Sequence, residues 1–451
     1  MIRKALICSL VFSLMTLQLP SCGFTNPVES LLSPPRLTAE QEQIYQALQK
    51  AAGSQISLKY PKSGERLSAF IVEDLDDDGS DEAIVFYESG RNIADENPLR
   101  ICLLDQTEDG WSDIWDDAAA GAEIDRVDIA KLGTNPRTNL IISYSMVDGA
   151  EHAAEVFHYD HADGSLTKNL SVQYSVMALR DLNLDGSLEL FVASAAKAPA
   201  PAMATVYELG ENGHYLPPSQ ISLPDAFTDI SRLVYGALPT GRGQETIPAV
   251  YMDGITGATT VQTVVISYRE NSLWLEYADS ADRFPNSARP GGCQTMDVDN
   301  DGEAEIPINT AFYGYSNAPE RSPLNMTNWY VCRNGLLMQK YSSYYAVQEG
   351  YVFRLPKRWE HCVTAVPENE EIVFYAFDTE KSGETDEPVL LEPLLRLTVV
   401  TDPIAADAMQ SEGYILLRQQ SSRYYLGRTE SGSRALSLAE SELVTAMRYL
   451  S

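Results

Sequence analysis

The stretch "DLDDDGSDEAIVFY", residues 74–87, places Asp74, Asp76, Asp78 and Glu82 at positions 1, 3, 5 and 9 of a loop, with Gly79 at position 6. Alternation brings the side chains at 1, 3 and 5 to one side, glycine permits the sharp turn, and the backbone carbonyl of Ser80 at position 7 adds a neutral oxygen. Carboxylates at this density repel one another unless something positive cancels them, and hard cations bind through such oxygens. The chemistry on offer is therefore calcium coordination. A helix-loop-helix calcium site needs another carboxylate at position 12, on an exiting helix. Position 12 here is Val85, inside Ala-Ile-Val-Phe-Tyr, so the loop feeds a strand.

The frame recurs. "DLNLDGSLELFVAS" supplies Asp181, Asn183, Asp185, Ser187 and Glu189, and "DVDNDGEAEIPIN" supplies Asp297, Asp299, Asp301, Glu303 and Glu305; both run into apolar residues of strand type. One such loop is equally well an acidic turn without an ion, but three in one frame, each before a strand, favour calcium. The first and third loops carry four carboxylates at positions 1, 3, 5 and 9, and the second carries three plus Asn183. The second is therefore expected to bind most weakly.

Positioning these loops requires a repeated β unit. "KLGTNPRTNLIISYS" from Lys131 and "ALPTGRGQETIPAVY" from Ala237 align on the following strand as two worn copies without the acids. Frames then start at 74, 131, 181, 237 and 297, in steps of 57, 50, 56 and 60 residues. A period of this size with about four short strands per unit is that of propeller blades, not of a helical solenoid. Segments before Leu67 and from Met326 to Tyr345 offer further strands to close a ring. Ahead of the repeat, "TAEQEQIYQALQKAAG" is an amphipathic helix with Thr38 as N-cap, Gln41 completing a capping box and Gly53 as its stop.

These residues resemble the FG-GAP or VCBS repeats of integrin-like β-propellers, in which an Asp-x-Asp/Asn-x-Asp-Gly-x-x-Asp loop holds calcium between strands. The resemblance covers roughly two-thirds of the chain and implies calcium ligands at the three acidic loops, with Glu in place of the usual final Asp. The Phe-Gly signature itself is absent. With the leader described next, the layout is similar to VCBS-repeat lipoproteins.

Residues 1–21 read as an export signal, with Arg3 and Lys4 before an apolar stretch too short to span a bilayer. "LPSC" resembles a lipobox, which implies cleavage before Cys22 and diacylation of it. Residues 22–37 would form a tether, 38–346 the opening helix and propeller, and 347–451 a small α+β domain. That last region opens on "YVFRLPKRW", which is similar to the start of PsbP/Mog1-like domains, and it closes on a helical stretch. The expected fold is thus mainly β: a β-propeller-like repeat domain with calcium loops, followed by a small α+β domain.

The chain carries 33 basic and 64 acidic residues. Removing residues 1–21 takes two bases and no acid, which leaves 31 against 64, a net −33. That field excludes nucleic acid as a partner and repels anionic lipid, so attachment to a membrane falls to the lipid at Cys22. Cys102, Cys293, Cys332 and Cys362 lack zinc spacing; either a Cys293–Cys332 disulfide or buried thiols would suit an exported domain.

Catalytic motifs are scarce. Ser316 lacks the glycines of a nucleophile elbow, and "HYDHADG" groups His158, Asp160, His161 and Asp163 in what reads as a polar turn. Tyr341, Tyr344 and Tyr345, with Trp329 and Tyr330, suit a core better than a sugar platform. Two functions stand. One is a non-catalytic binding or scaffolding lipoprotein, extracytoplasmic and lipid-anchored, with an unknown protein or carbohydrate ligand. The other is an extracellular hydrolase or lyase acting on polysaccharide or cell wall.

Overall fold

The computed structural model describes residues 37–450 apart from 91–97, 136, 147–151, 161–163, 241–244, 282–283 and 431–434. Cys22, the leader, His161 and Asp163 lie outside the described residues. The opening helix α1 (Ala39–Ala52) has the expected capping box: the Gln41 N–H donates to Thr38 Oγ1, and the Thr38 N–H donates to Gln41 Oε1, each at 3.1 Å. It stops at Gly53, whose φ of +95° suits glycine.

Among the described residues the strands form six antiparallel sheets. Sheet 1 runs β1 (Ile56–Leu58), β3 (Glu82–Ser89), β4 (Leu99–Thr107), β5 (Gly110–Ala118), with β2 (Phe70–Glu73) also pairing β3. Sheet 2 is the meander β6 (Glu123–Lys131), β7 (Thr138–Ser145), β8 (His152–Asp160), β9 (Ser165–Tyr174), and sheet 3 is β10 (Val176–Arg180), β11 (Glu189–Ser194), β12 (Met203–Tyr207), β13 (Ser219–Ser222). Sheet 4 is β14 (Phe227–Pro239), β15 (Thr246–Thr256), β16 (Thr260–Arg269), β17 (Ser272–Tyr277), with β18 (Arg289–Pro290) on β16. Sheet 5 is β19 (Ile306–Ala311), β20 (Asn325–Arg333), β21 (Leu336–Ala346), β22 (Tyr351–Arg354) and β28 (Met447–Tyr449). Sheet 6 orders β23 (Val363–Glu368), β24 (Glu371–Phe377), β25 (Leu390–Val400), β27 (Arg423–Thr429), β26 (Ile415–Gln420).

The strands behind the loops are apolar on both faces because each sheet is sandwiched. In β3, Ala83, Val85 and Tyr87 pack under Ile44 and Leu48 of α1, while Ile84 and Phe86 join Leu140, Ile142 and Tyr144 of β7. In β11, Leu190 and Val192 meet Ile141 of sheet 2, and Phe191 and Ala193 meet Val250 and Met252 of sheet 4. In β15, Ala249 and Tyr251 turn the other way, onto Ile306 and Cys332 of sheet 5. Period-2 alternation thus selects which neighbour each side chain meets, and every fully buried aliphatic or aromatic side chain contributes about 1.5–3 kcal/mol.

Among the described residues no closed ring is found. The stack begins with α1 over sheet 1, and sheet 6 covers sheet 5 through a core that includes Phe353, Trp359, Phe374 and Leu395. The stretch from Met326 to Tyr345 supplies the middle of sheet 5 instead of an extra closing unit. Ahead of β19 a single antiparallel bridge joins Met296 to Glu305.

A separate small α+β domain after residue 346 is not shown. β22 pairs with β21 (Ser343 opposite Arg354), and β28 pairs with β22, so the last segment returns to sheet 5. Sheet 6 carries three short helices, α2 (Thr379–Ser382), α3 (Pro403–Ser411) and α4 (Glu440–Ala446). The expected terminal helix ends at Ala446, because Met447 is needed in the sheet 5–sheet 6 core. The four cysteines among the described residues are free thiols, with Cys293 and Cys332 buried, so no disulfide joins those two.

Candidate metal centres

Each acidic loop runs into a strand: Glu82 and Glu189 open β3 and β11, and Glu305 stands one residue before β19. All three have the same backbone: position 4 is left-handed (Asp77 and Leu184 at φ +62°, Asn300 at +57°) and position 6 is Gly79, Gly186 or Gly302 at φ +91° to +92°. The first aspartate holds the turn: Asp74, Asp181 and Asp297 accept the N–H of positions 5 and 6 at 2.9–3.2 Å. The position 5 aspartate accepts the N–H of position 7, so Ser80, Ser187 and Glu303 are fixed by Asp78, Asp185 and Asp301 at 2.7–3.0 Å. Asp76 Oδ1 and Asn183 Oδ1 each accept the position 5 N–H as well.

The glutamates are fully buried. One oxygen of each accepts the N–H of position 2: Leu75 to Glu82 at 2.7 Å, Leu182 to Glu189 at 2.7 Å, Val298 to Glu305 at 2.8 Å. The other oxygen distinguishes the loops. Oε1 of Glu82 and of Glu189 is buried without a hydrogen-bond partner, whereas Oε1 of Glu305 accepts from Lys340 Nζ at 2.6 Å. Burial pushes Glu82 up to about 8, with the charges of Asp76, Asp105 and Asp78 adding to it against the Leu75 hydrogen bond. Burial likewise raises Glu189 to about 7, and raises Glu305 to about 7 although Lys340 and the Val298 N–H pull the other way.

Oxygens that share one calcium at about 2.4 Å lie at most ~4.8 Å apart. Ligand oxygens of Asp181, Asp185 and Glu189, of Asp74, Asp76 and Asp78, and of Asp297, Asp299, Asp301 and Glu305 all meet that limit within their groups. The residues of the first two loops therefore fit a hard divalent cation, with Glu189 inside its group and Glu82 outside the 4.8 Å limit, and in both loops the glutamate keeps an orphaned buried oxygen. In the third the same space holds Lys340 Nζ.

The two worn copies are docking elements. The Gly133 N–H donates to Leu188 O at 2.8 Å, and the Ala237 N–H to Gly302 O at 2.7 Å, so each leans on the acidic loop of the next sheet. Gly133 has φ +57° and a Cβ there would sit 2.0 Å from Leu209 O; at Gly236 it would sit 2.9 Å from Ala304 N. Lys131 reaches back to Asp77 at 3.1 Å, and Asp181, Leu182, Gly236 and Ala237 line one cavity of about 290 Å³. The loops thus lie side by side along one edge of the stack.

Other candidates resolve into structure. His158 contacts Arg137 Nη1 at 3.0 Å and the Thr138 carbonyl at 3.3 Å, and forms part of a cavity of about 300 Å³ that also meets Asp76 to Asp78. Trp329 is fully buried and donates to Ser343 Oγ at 2.7 Å. Tyr330, Tyr341 with Tyr345, and Tyr344 are half-buried against three different cores, so they form no common sugar-stacking surface. A cluster missed by sequence reasoning is the buried pair Arg289 and Asp253, at 2.8 Å, in which Arg289 also donates to Thr263, Thr295 and the carbonyls of Cys293 and Ser287. It pins β18 to β15 and β16.

No family model matches the chain, and no curated protein matches it. Among solved structures it is similar to an exo-β-1,3-galactanase from Phanerochaete chrysosporium, 10% identical over 77% of this chain and 81% of that one, with a TM-score of 0.25. It is also similar to a eukaryotic initiation factor, 12% identical over 78% of this chain and 90% of that one, with a TM-score of 0.25. At such scores neither likeness carries an argument about fold or function.

Proposed function

We propose that the chain is an extracytoplasmic lipoprotein, anchored through Cys22, whose stacked sheets are propeller-type blades clamped by calcium and serve as a non-catalytic binding or scaffolding module for a protein or carbohydrate. The observation that carries the calcium clamp is the pair of orphaned buried oxygens on Glu82 and Glu189: Glu189 lies within ligand distance of Asp181 and Asp185, and Glu82 feels the charges of Asp76 and Asp78 from the neighbouring set of Asp74, Asp76 and Asp78. The blade reading is supported by successive antiparallel sheets packed face to face, with equivalent loops in contact along one edge. Ions in this arrangement hold each loop to the strand behind it, and their recurrence in separate sheets suits a structural role better than an open coordination position in one cleft.

The test is thermal unfolding of the purified chain in chelator and in millimolar calcium. Binding to the folded state alone contributes RT ln(1 + [L]/Kd), about 1.4 kcal/mol per site at ten times Kd. Superimposed melting curves would remove the calcium clamp. A screen against polysaccharides, peptidoglycan, esters and peptides is expected to show no turnover; an activity abolished by one substitution that leaves the melting temperature unchanged would establish the hydrolase or lyase alternative.

A further inference from the structure

The third acidic loop differs from the other two in what fills it. The ammonium of Lys340 stands 2.6 Å from Asp301 Oδ2, 2.6 Å from Glu305 Oε1 and 3.1 Å from Asp299. It thus occupies the space among the same carboxylates that would share an ion. Arg354 stands 3.8 Å from Asp299, and Arg333 holds Glu303 at 2.6 Å. Glu305, the counterpart of Glu82 and Glu189, has no orphaned oxygen.

The placement of Lys340 follows from a repeated irregularity. Sheets 1, 2, 4 and 5 each carry a bulge in the outer hairpin: the register slips between Leu103 and Leu104, Val156 and Phe157, Val265 and Ile266, and Trp329 and Tyr330. Counted from the hairpin turn, the unpaired residue is in every case the fifth of the outer strand: Ile114, Asn169, Glu276 and Lys340. A bulge re-aims the side chain it carries. In the sheet behind the first loop that side chain is the uncharged Ile114, which joins the core with Leu75. The outer pair of sheet 3, behind the second loop, keeps its register throughout. In sheet 5 the same position carries a lysine.

We infer that the third loop is closed by a built-in cation, the Lys340 ammonium, and takes no divalent ion, so that the chain binds calcium at the first two loops only. This rests on the calcium reading of those two loops. It departs from the order expected from carboxylate number, because one of the two loops with four acids carries its own counter-charge. A lysine nitrogen 2.6–3.1 Å from three carboxylates blocks an ion both sterically and by charge.

The experiment combines calcium counting by equilibrium dialysis with melting in chelator, on the full-length chain in detergent. Wild type is expected to bind two ions, and Asp301→Asn to leave that number unchanged. Lys340→Met is expected to melt lower than wild type in chelator, to recover in millimolar calcium and to bind a third ion, while Lys340→Arg keeps two. Loss of one ion in Asp301→Asn would overturn the inference, as would Lys340→Met melting like wild type in chelator. If wild type binds no ion yet Lys340→Met still melts lower in chelator, the calcium reading of the first two loops fails and the lysine closure stands. Should Lys340→Met not fold, the dialysis of Asp301→Asn alone decides.

Discussion

Replacing Glu82 by glutamine isolates the cost of the orphaned carboxylate. In the ion-free chain Glu82 is raised from 4.5 to about 8, chiefly by burial. A carboxyl whose folded value is raised binds its proton more tightly in the folded state. Its contribution is therefore complete below pH 4.5 and is lost as pH rises through 8. At about 1.4 kcal/mol per unit, wild type loses on the order of 3 kcal/mol from this one group between pH 5 and pH 8. Glu82→Gln does not titrate and keeps an oxygen for the Leu75 N–H. General charge repulsion in so acidic a chain also grows with pH, so only the difference between wild type and variant counts. For a chain of this length unfolding entropy is about 0.9 kcal/mol per degree, which makes that difference about 3–4 °C in melting temperature, measured in chelator. Saturating calcium should abolish the excess of the wild-type slope over the slope from general repulsion, since the ion holds the carboxylate charged. Parallel slopes for wild type and Glu82→Gln in chelator would refute the account of Glu82 as a metal ligand kept neutral without its metal.

Three further outcomes are expected. Asp253→Ala leaves the buried Arg289 charge uncompensated and should cost about 3–5 kcal/mol in denaturant unfolding, whereas an exposed pair such as Arg321 with Asp386 should cost less than about 1 kcal/mol. Deleting residues 447–451 removes β28 and Met447 from the sheet 5–sheet 6 core, and should lower the melting temperature and raise binding of a hydrophobic dye. Cys22→Ala should block lipid processing and move the protein out of the membrane fraction of its host; a processed variant in the membrane pellet would point to another attachment.

The loops were legible because the turn constrains spacing: aspartates at positions 1 and 5 accept its N–H groups and glycine takes the positive φ. Asp, Gly and Glu at fixed offsets leave a pattern that survives in one sequence, and the capping box of Thr38 and Gln41 did so for α1. The worn copies at Lys131 and Ala237 were found through the strand that follows, but not their docking, since Gly133 and Gly236 look like ordinary turn glycines. Lys340 was invisible for a definite reason: its bulge contains no glycine, and the residues it neutralises lie 35 to 41 positions away. The join between sheets 5 and 6 was hidden because β22 and β28 are three to four residues long and separated by nearly all of sheet 6. A change of sequence texture near Gly350 fell close to the passage from sheet 5 to sheet 6.

The open stack, with α1 at one end and sheet 6 at the other, bears on how such a chain can evolve. Among the described residues each middle sheet buries its two faces against the sheets before and after it, and the helix and last sheet cover apolar faces at either end. A closed ring fixes its number of units geometrically, because gaining or losing one changes every angle around the circle. A stack with dedicated ends has no such arithmetic to satisfy. Duplication or loss of one unit of 50 to 60 residues would leave both end caps, α1 and sheet 6, intact.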